Sequence, residues 1–231
     1  MRRALVTGGG SGIGLAIAKK LAETSEVTVL GRDKMKLDAT GFASIVADVA
    51  DPALRIDVAF DIVVNNAGIV RTAPFNKQSD ADWSDLWHTN VMGAVRVTRA
   101  ALPGMRERKW GRIVNIASTA SLKGYGYVSA YVVSKHALLG LTRALAVELM
   151  ETGITVNAVC PGYTDTDIVR DAVKTIISKT KRSEDEARAG FLNPQGRLIQ
   201  PDEVAAAVAY LASEEARSVT GQAMTIAGGE L

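Results

Sequence analysis

The sequence predicts an α/β fold: one three-layer domain in which a parallel sheet of seven strands carries helices on both faces. Short β-branched runs recur along the chain with helical stretches between them, and this alternation is typical of strand–helix–strand units. Most of the runs are continuously apolar, which indicates strands that are covered on both faces. The predicted strands span residues 4–7, 27–30, 43–47, 61–65, 112–117, 155–159 and 224–226.

Three long helices are expected between these strands. The first spans about 12–23, the second about 82–108 with an end or a bend near Pro103, and the third about 129–148. The third helix is apolar on nearly every side, which indicates that it is covered on more than one side. We expect the sheet to cover one side and a partner subunit the other, with burial inside a single chain as the alternative.

Length and composition limit the class of protein. The 231 residues contain no linker, repeat or low-complexity segment, so one domain spanning 1–231 is expected. A net charge of +2 argues against nucleic acid and against an anionic membrane as partners. The chain shows neither a signal-peptide core nor an apolar run of the ~20 residues that a membrane span needs, so we expect a cytoplasmic protein. The single cysteine, Cys160, excludes an internal disulfide.

A glycine-rich turn joins the first strand to the first helix. Its glycines fit the pattern G-x-x-x-G-x-G, with Gly8, Gly12 and Gly14 at the fixed positions. Leu15 stands where a P-loop would carry its lysine, which excludes that motif. Glycines allow a tight turn, and in a Rossmann-type fold the amides that open the following helix face a pyrophosphate. The turn therefore predicts a dinucleotide site, with a plain glycine-rich connection as the alternative.

The residues after the second strand bear on the ribose of such a cofactor. An acidic side chain at this point accepts the adenosine 2′-hydroxyl and repels a 2′-phosphate. Here the strand ends without an acid and Arg32 follows, which can pair with a 2′-phosphate, aided by the hydroxyl of Ser11. NADP(H) is therefore favoured over NAD(H), with a solvated surface arginine as the alternative interpretation of Arg32.

A candidate acid/base pair lies on the third helix. Tyr131 and Lys135 stand at i and i+4, so both side chains project from one helix face. A free tyrosine has a pKa near ~10, and a neighbouring lysine charge can lower it by roughly 1–3 units. Ser118 ends a predicted strand, where open α/β sheets hold their ligands. We expect Ser118 to hydrogen-bond a substrate oxygen while Tyr131 gives or takes its proton.

The motifs of the chain stand in a distinctive order. They are Thr7-Gly8, Asn65–Gly68, Asn90, Ser118, Tyr131 with Lys135, Pro161-Gly162, Thr220–Gln222 and Gly228-Gly229. In this order the sequence resembles the short-chain dehydrogenase/reductase family from end to end. The resemblance implies an oxidoreductase that moves a hydride between a nicotinamide dinucleotide and a small ketone or secondary alcohol.

The resemblance also assigns residues to the cofactor. In chain order they are Gly8, Gly12, Ile13, Gly14, Asp48, Val49, Asn65, Ala67, Gly68, Pro161, Gly162, Thr164 and Thr166. The first four are expected at the pyrophosphate, the next two beside the adenine, the next three along the cofactor bed, and the last four at the carboxamide.

Further roles follow from the same resemblance. Lys135 is expected to hold the nicotinamide ribose and to tune Tyr131, and Asn90 to anchor a water molecule of a proton relay. Family members commonly form tetramers, with the helices predicted at 82–108 and 129–148 at an interface. This agrees with the apolar character of the third helix, so a homotetramer is expected.

The chain departs from the family between the second and fourth strands. Only 15 residues separate Arg32 from Asp48 and 16 separate Asp48 from Asn65, which is shorter than is usual in the family. The crossover helices are therefore expected to be cut down to about 34–37 and 51–54. This leaves the packing on the adenine side, and part of the cofactor preference, open.

The segment at about 165–195 resembles the substrate lid of the family. Its larger apolar side chains are interpreted either as a pocket wall or as core contacts: Ile168, Val169, Val173, Ile176, Ile177, Phe191 and Leu192. The basic run Lys179, Lys181 and Arg182 is interpreted as a solvated face, or else as an attraction for a phosphorylated carrier.

Residues 196–204 resemble the same run of 3-oxoacyl-thioester and polyketide reductases in the family. The first choice of substrate is therefore a 3-oxoacyl thioester or a similar ketone, and the second is a secondary, polyol or cyclic alcohol. A dinucleotide-binding sensor without turnover is the alternative from another class. His88 and His136 form no cluster with metal-ligand spacing, so no metal is expected.

Overall fold

The computed structural model describes residues 1–180 and 182–231. Lys181, one member of the basic run above, lies outside the described residues. Within them, seven parallel strands form one sheet in the order β3-β2-β1-β4-β5-β6-β7, which confirms the predicted fold class. The strands are β1 Arg2–Thr7, β2 Ser25–Gly31, β3 Ala43–Val46, β4 Ile62–Asn65, β5 Gly111–Ile116, β6 Ile154–Pro161 and β7 Ala223–Ile226.

Helices cover both faces of this sheet. They are α1 Gly12–Leu21, α2 Lys34–Asp38, α3 Asp80–Trp87, α4 Gly93–Glu107, α5 Ser129–Glu148, α6 Asp167–Lys179, α7 Glu184–Ala189 and α8 Pro201–Ala212. One apolar core lies between the sheet and α1 with α8, and a second lies between the sheet and α4 with α5. Every residue of β4, β5 and β6 is buried, which explains why these strands are mostly apolar in sequence.

The second long helix differs from its prediction. It is divided into α3 and α4 by a π-helical turn, His88–Met92, and it does not end at Pro103, which lies inside α4. The ring of Pro103 deprives the Arg99 carbonyl of its donor. Both residues are exposed, so water can satisfy that carbonyl and the helix continues.

The short region on the adenine side is also simpler than expected. Helix α2 forms, but the helix predicted at 51–54 is absent and turns take its place. Asp48 and Asp51 each accept a hydrogen bond from the amide two residues later, at 2.9 and 2.8 Å. Such turns compete with helix formation at aspartate. Phe60, 1% exposed, fills the core behind this connection.

Helix α5 occupies the predicted range, and one of its sides packs on β6 and β5. Val133 and Val147 on another side are 46% and 65% exposed. None of the helices in the described part of the chain combines the length and apolarity that a bilayer crossing requires.

Candidate active site

The predicted site residues lie at the ends of successive strands, along the carboxyl edge of the sheet. Parallel strands end at one edge, and open α/β sheets hold their ligands there. The glycine turn follows β1, Arg32 follows β2, Asp48 follows β3, residues 65–68 follow β4, Ser118 follows β5, and residues 161–166 follow β6. The topology therefore brings segments far apart in sequence to one crevice.

The glycine turn has a backbone that depends on glycine. Gly8 and Gly12 have φ values of +66° and +52°, in the left-handed region. A Cβ on Gly14 would lie 2.8 Å from the carbonyl carbon of Gly8, so any side chain there would displace the turn. Ser11 caps α1 without a side-chain hydrogen bond, which leaves the first amides of the helix available to an anion. The turn therefore fits a pyrophosphate.

Two polar side chains attach this turn to the end of β4. The Thr7 hydroxyl accepts hydrogen bonds from the amides of Asn66 and Ala67, both at 3.0 Å. The Asn66 amide group donates to the carbonyls of Thr7 and Gly8 at 2.9 and 3.3 Å. Sequence reasoning quoted both residues in motifs but gave neither a role. Their hydrogen bonds fix the crevice between β1 and β4.

Asn65 faces away from this crevice. Its amide group donates to Thr98 at 3.0 Å and to Asn115 at 2.8 Å, and the residue is 4% exposed. Asn115 in turn donates to Thr142 of α5 at 2.8 Å. The Asn65 side chain thus joins β4 to β5 and α4 and does not itself line the predicted cofactor bed, whereas Ala67 and Gly68 follow at its edge.

The ribose side contains an ion pair. The Arg32 guanidinium lies 3.6 Å from a carboxylate oxygen of Asp48, and the two side chains are 70% and 39% exposed. Val49 is buried, and a Cβ on Gly93 of α4 would lie 2.7 Å from it. Asp48 and Arg32 are therefore placed together, while the Val49 side chain belongs to the core.

The segment after β6 reaches back to the glycine turn. The Gly162 amide donates to Ile226 of β7 at 3.0 Å, and the Thr164 hydroxyl donates to the Gly162 carbonyl at 3.0 Å. A Cβ on Gly12 would lie 3.3 Å from the methyl group of Thr166. Residues 161–166 and the glycine turn thus form opposite walls of one crevice.

Tyr131, Lys135 and Ser118 come together beside this crevice, as their spacing predicts. The Lys135 ammonium lies 5.6 Å from the centre of the Tyr131 ring and donates a hydrogen bond to the Ile116 carbonyl at 2.8 Å. The Ser118 hydroxyl interacts with the Tyr131 hydroxyl, and it also accepts the Ala120 amide at 3.1 Å. A phenol, a hydroxyl and an ammonium therefore meet at the end of β5.

The electrostatics of the pair differ from the sequence-based expectation. Burial raises the pKa of Tyr131 above its ordinary value, and the interaction with Ser118 opposes this increase. Burial also lowers the pKa of Lys135 to about 8. The prediction that lysine lowers the tyrosine pKa is therefore wrong for the protein alone, because desolvation dominates and the ammonium is directed to the Ile116 carbonyl. Burial therefore favours the protonated form of Tyr131.

Asn90 lies in the π-helical turn and is 2% exposed. Its side chain accepts the Ile69 amide at 2.8 Å and donates to the Ile69 carbonyl and to Ser134, both at 3.0 Å. A Cβ on Gly68 would lie 3.3 Å from Asn90 and 3.6 Å from the Lys135 ammonium. The π turn thus directs Asn90 to α5, at a kind of backbone irregularity that is frequent at functional sites.

Two tyrosines that sequence reasoning did not propose as site residues lie near the pair. Tyr163 follows Gly162, and its proximity contributes to the raised pKa of Tyr131. The rings of Tyr163 and Tyr125 pack edge to face with centres 6.2 Å apart, and those of Tyr163 and Phe191 with centres 4.9 Å apart. Adjacency to Pro161-Gly162 was the one available signal for Tyr163.

The segment predicted as a lid contains α6 and α7. Of its apolar side chains, Val169 and Val173 are buried against Ala187, and Phe191 packs against this small core. Others lie at the surface, with Ile168 59% exposed and Leu192 39% exposed. The core-contact interpretation therefore applies to Val169, Val173 and Phe191, and the pocket wall stays a prediction for the exposed members.

The remaining candidates are structural. His88 and His136 are exposed and each contacts the carbonyl four residues earlier. Across residues 1–180 and 182–231, no group of three metal-ligating side chains comes together. Cys160 is a buried free thiol.

A doubly wound parallel sheet with a glycine turn, and with a tyrosine and a lysine at its carboxyl edge, defines a dinucleotide-dependent oxidoreductase. A family model described as enoyl-(acyl carrier protein) reductase matches residues 8–230. The chain belongs to this family, the short-chain dehydrogenases/reductases, whose members act on ketones and secondary alcohols with NAD(P).

Characterised relatives cover nearly the whole chain. An acetoacetyl-CoA reductase of Shinella zoogloeoides is 36% identical over 246 aligned positions, 99% of this chain and 98% of the relative. A D-beta-hydroxybutyrate dehydrogenase of Cupriavidus necator is 36% identical over 250 positions, 99% of this chain and 97% of the relative. The crystal structure of an actinorhodin polyketide ketoreductase with NADPH superposes with a TM-score of 0.94 at 39% identity, covering 99% and 97% of the two chains.

Proposed function

We propose that the protein reduces a ketone to a secondary alcohol with NADPH, on a 3-oxoacyl thioester or a similar 3-oxo compound. The observation that carries the proposal is the grouping of Ser118, Tyr131, Lys135 and Asn90 at the sheet edge that also carries the glycine turn. The names of the relatives support the substrate class, because they include a reductase of acetoacetyl-CoA and a polyketide ketoreductase.

The residues present fit a dinucleotide. A Cβ at Gly8 would lie 2.9 Å from the Asn66 side chain, and one at Gly14 would lie 2.8 Å from the Gly8 carbonyl carbon, so glycine is needed for the tight turn whose helix amides would face a pyrophosphate. Arg32 stands where a 2′-phosphate would lie, with the Ser11 hydroxyl near the start of α1. Ala67, Gly68 and residues 161–166 would border the nicotinamide half. NADP(H) is the favoured cofactor and NAD(H) the alternative.

The chain's own residues move the proton. When bound, the reduced nicotinamide supplies the hydride to the carbonyl carbon. Tyr131 donates its hydroxyl proton to the carbonyl oxygen, which Ser118 holds by a hydrogen bond. The Lys135 ammonium stabilises the phenolate that remains, because it is charged below its pKa of about 8. Asn90 fixes the position of the catalytic helix and is proposed to hold the water through which the proton is replaced.

The substrate screen tests this proposal. We expect acetoacetyl-CoA or a longer 3-oxoacyl thioester to be reduced with NADPH, measured as the loss of NADPH absorbance. The second candidate, oxidation of a secondary alcohol, is favoured by the likeness to a D-beta-hydroxybutyrate dehydrogenase. If thioesters fail while 3-hydroxybutyrate, a polyol or a cyclic alcohol is oxidised, the second candidate replaces the first.

The assembly and the lid belong to the same proposal. We propose one domain over residues 1–231 with a lid at about 165–195 that excludes water from the carbonyl. The exposure of Val133 and Val147 on α5 supports a homo-oligomer, expected as a tetramer. A cytoplasmic location is part of the proposal. Light scattering during gel filtration gives the number of subunits, and a monomeric mass would contradict the assembly.

A further inference from the structure

Glu230 lies at the substrate side of the site, although it belongs to the chain after β7. Its side chain is 15% exposed. The carboxylate accepts a hydrogen bond from the Tyr125 hydroxyl and lies 3.2 Å from the Lys123 ammonium. The same ammonium donates to the Glu230 backbone carbonyl at 3.1 Å. Glu230 thus holds two side chains of the loop between β5 and α5.

That loop begins at the catalytic serine. Thr119 follows Ser118 directly, is 3% exposed, and has its hydroxyl 2.7 Å from the Tyr125 hydroxyl. Tyr125 therefore has one fixed partner on the Ser118 side and one at Glu230. With both hydrogen bonds made, the position of its ring is set relative to the end of β5.

Glu230 also contacts the opposite wall. A Cβ on Gly162 would lie 2.8 Å from the second carboxylate oxygen of Glu230, so the carboxylate packs directly on the glycine that precedes Tyr163. A Cβ on Gly228 would lie 2.7 Å from the Asn193 side chain, at the end of the proposed lid. The segment 227–230 therefore touches three structures around the substrate side: the 119–125 loop, Gly162 and the lid.

The contacts of Glu230 fix one end of an aromatic wall, which we define as the rings of Tyr125, Tyr163 and Phe191. The rings pack edge to face in sequence, with Tyr163 in the middle. Edge-to-face packing has a narrow preferred geometry, so a displacement of Tyr125 is transmitted to Tyr163. Tyr163 is the member of the wall that lies near Tyr131.

We propose that Glu230 is a positioning residue for substrate recognition: by holding Tyr125 and Lys123 against Gly162, it fixes the aromatic wall beside Tyr131. It contacts neither the reacting carbonyl nor the hydride donor in this role. The inference rests on the proposed ketone reduction. In this proposal, the segment 227–230 affects the KM for the ketone and does not affect the binding of the cofactor.

Steady-state kinetics of Glu230→Ala and Glu230→Gln test the proposal. Removal of a hydrogen bond to a charged group predicts a rise in ketone KM of about tenfold for the alanine variant, with kcat altered by less than about threefold. Glutamine keeps an acceptor for Tyr125 and loses the ion pair, so a smaller rise is expected. The Kd for NADPH stays unchanged in both. Glu26→Ala, at an exposed glutamate of β2, is the matched control and leaves KM unchanged.

A double-mutant cycle separates positioning from general loss of structure. If Glu230 acts through Tyr125, Tyr125→Phe also raises the ketone KM. The double variant Tyr125→Phe with Glu230→Ala then raises the KM by less than the product of the two single increases. Additive effects, an unchanged KM in Glu230→Ala, or a parallel loss of NADPH affinity would each overturn the proposal.

A measurement without turnover keeps this inference distinct from the proposed function. In protein labelled at the tyrosine rings, Glu230→Gln is expected to shift the NMR signals of Tyr125 and Tyr163 and to leave that of Tyr210 in place. If these signals shift in a protein that reduces no ketone, the proposed function is contradicted, while the contact through which Glu230 positions Tyr125 is still supported. Unshifted Tyr125 and Tyr163 signals would contradict the positioning role itself.

Discussion

The Lys135 ammonium lies 5.6 Å from the centre of the Tyr131 ring, while its hydrogen bond goes to the Ile116 carbonyl at 2.8 Å. The strand end therefore holds the lysine, and its ammonium lies over the face of the tyrosine ring. Because Lys135 is buried and Tyr131 is partly buried, each is less ionised than it would be in water: the pKa of Lys135 is lowered to about 8 and that of Tyr131 is raised. The protein alone thus carries a protonated tyrosine beside a titratable lysine.

This relationship predicts the pH dependence of reduction. As the pH rises, Lys135 loses its proton before Tyr131 does, and the ammonium that stabilises the phenolate disappears. The kcat/KM for ketone reduction is therefore expected to fall as the pH rises through about 8. A pH profile measured with wild type and with Lys135→Arg tests this, since arginine keeps its charge and its residual activity should lack the fall. A flat wild-type profile from pH 7 to 9.5 would contradict the assignment.

Cofactor preference is expected to depend on Arg32. Removal of a guanidinium that pairs with a 2′-phosphate predicts that Arg32→Ala weakens NADPH binding by about 10- to 100-fold and changes NADH binding by less than about twofold. Fluorescence titration with the two cofactors measures both constants. Lys36→Ala, which removes an exposed positive charge nearby in α2, serves as the control. Equal losses of affinity for NADPH and NADH would show that Arg32 does not recognise the 2′-phosphate.

We expect that Gly14 of the glycine turn cannot be replaced by a residue with a side chain. A methyl group there would lie 2.8 Å from the Gly8 carbonyl carbon, so Gly14→Ala should lower the free energy of unfolding by about 1–3 kcal/mol and abolish cofactor binding. Gly126→Ala is the control, because its methyl group would meet no atom within 4 Å in the loop before α5. Alanine at that exposed position is expected to change the free energy of unfolding by less than about 0.5 kcal/mol. Denaturant unfolding measures both, and a neutral Gly14→Ala would contradict the packing of the turn.

The fold follows from the sequence because its signals are local. Continuously apolar strands and a glycine turn at the first strand–helix junction predict the sheet, and the structure confirms it. The position of the break between α3 and α4 was not predictable in this way. A proline is visible in sequence, but the carbonyl it leaves at Arg99 is exposed, whereas the π turn at His88–Met92 depends on contacts of Asn90 with Ile69 and Ser134.

The candidate site, like the fold, was predictable only where its signals are local in sequence. The i and i+4 spacing predicts that Tyr131 and Lys135 share a helix face, but it does not predict that the lysine donates to Ile116 or that burial outweighs its charge. Glu230 gave no signal, because nothing in its neighbourhood of the sequence indicates a contact with Tyr125, 105 residues away. Such long-range polar contacts arise only once the strand order places the loop after β5 near the segment after β7.

Replacement of Tyr131 by phenylalanine tests the central claim most directly. Single-turnover reduction of a ketone and titration with NADPH would be measured on the same preparations of wild type and Tyr131→Phe. The account predicts that the rate of hydride transfer falls by about 10²- to 10⁴-fold, since the proton donor is lost, while the Kd for NADPH changes by less than about twofold. A variant that keeps the wild-type rate would show that another group supplies the proton and would contradict the mechanism.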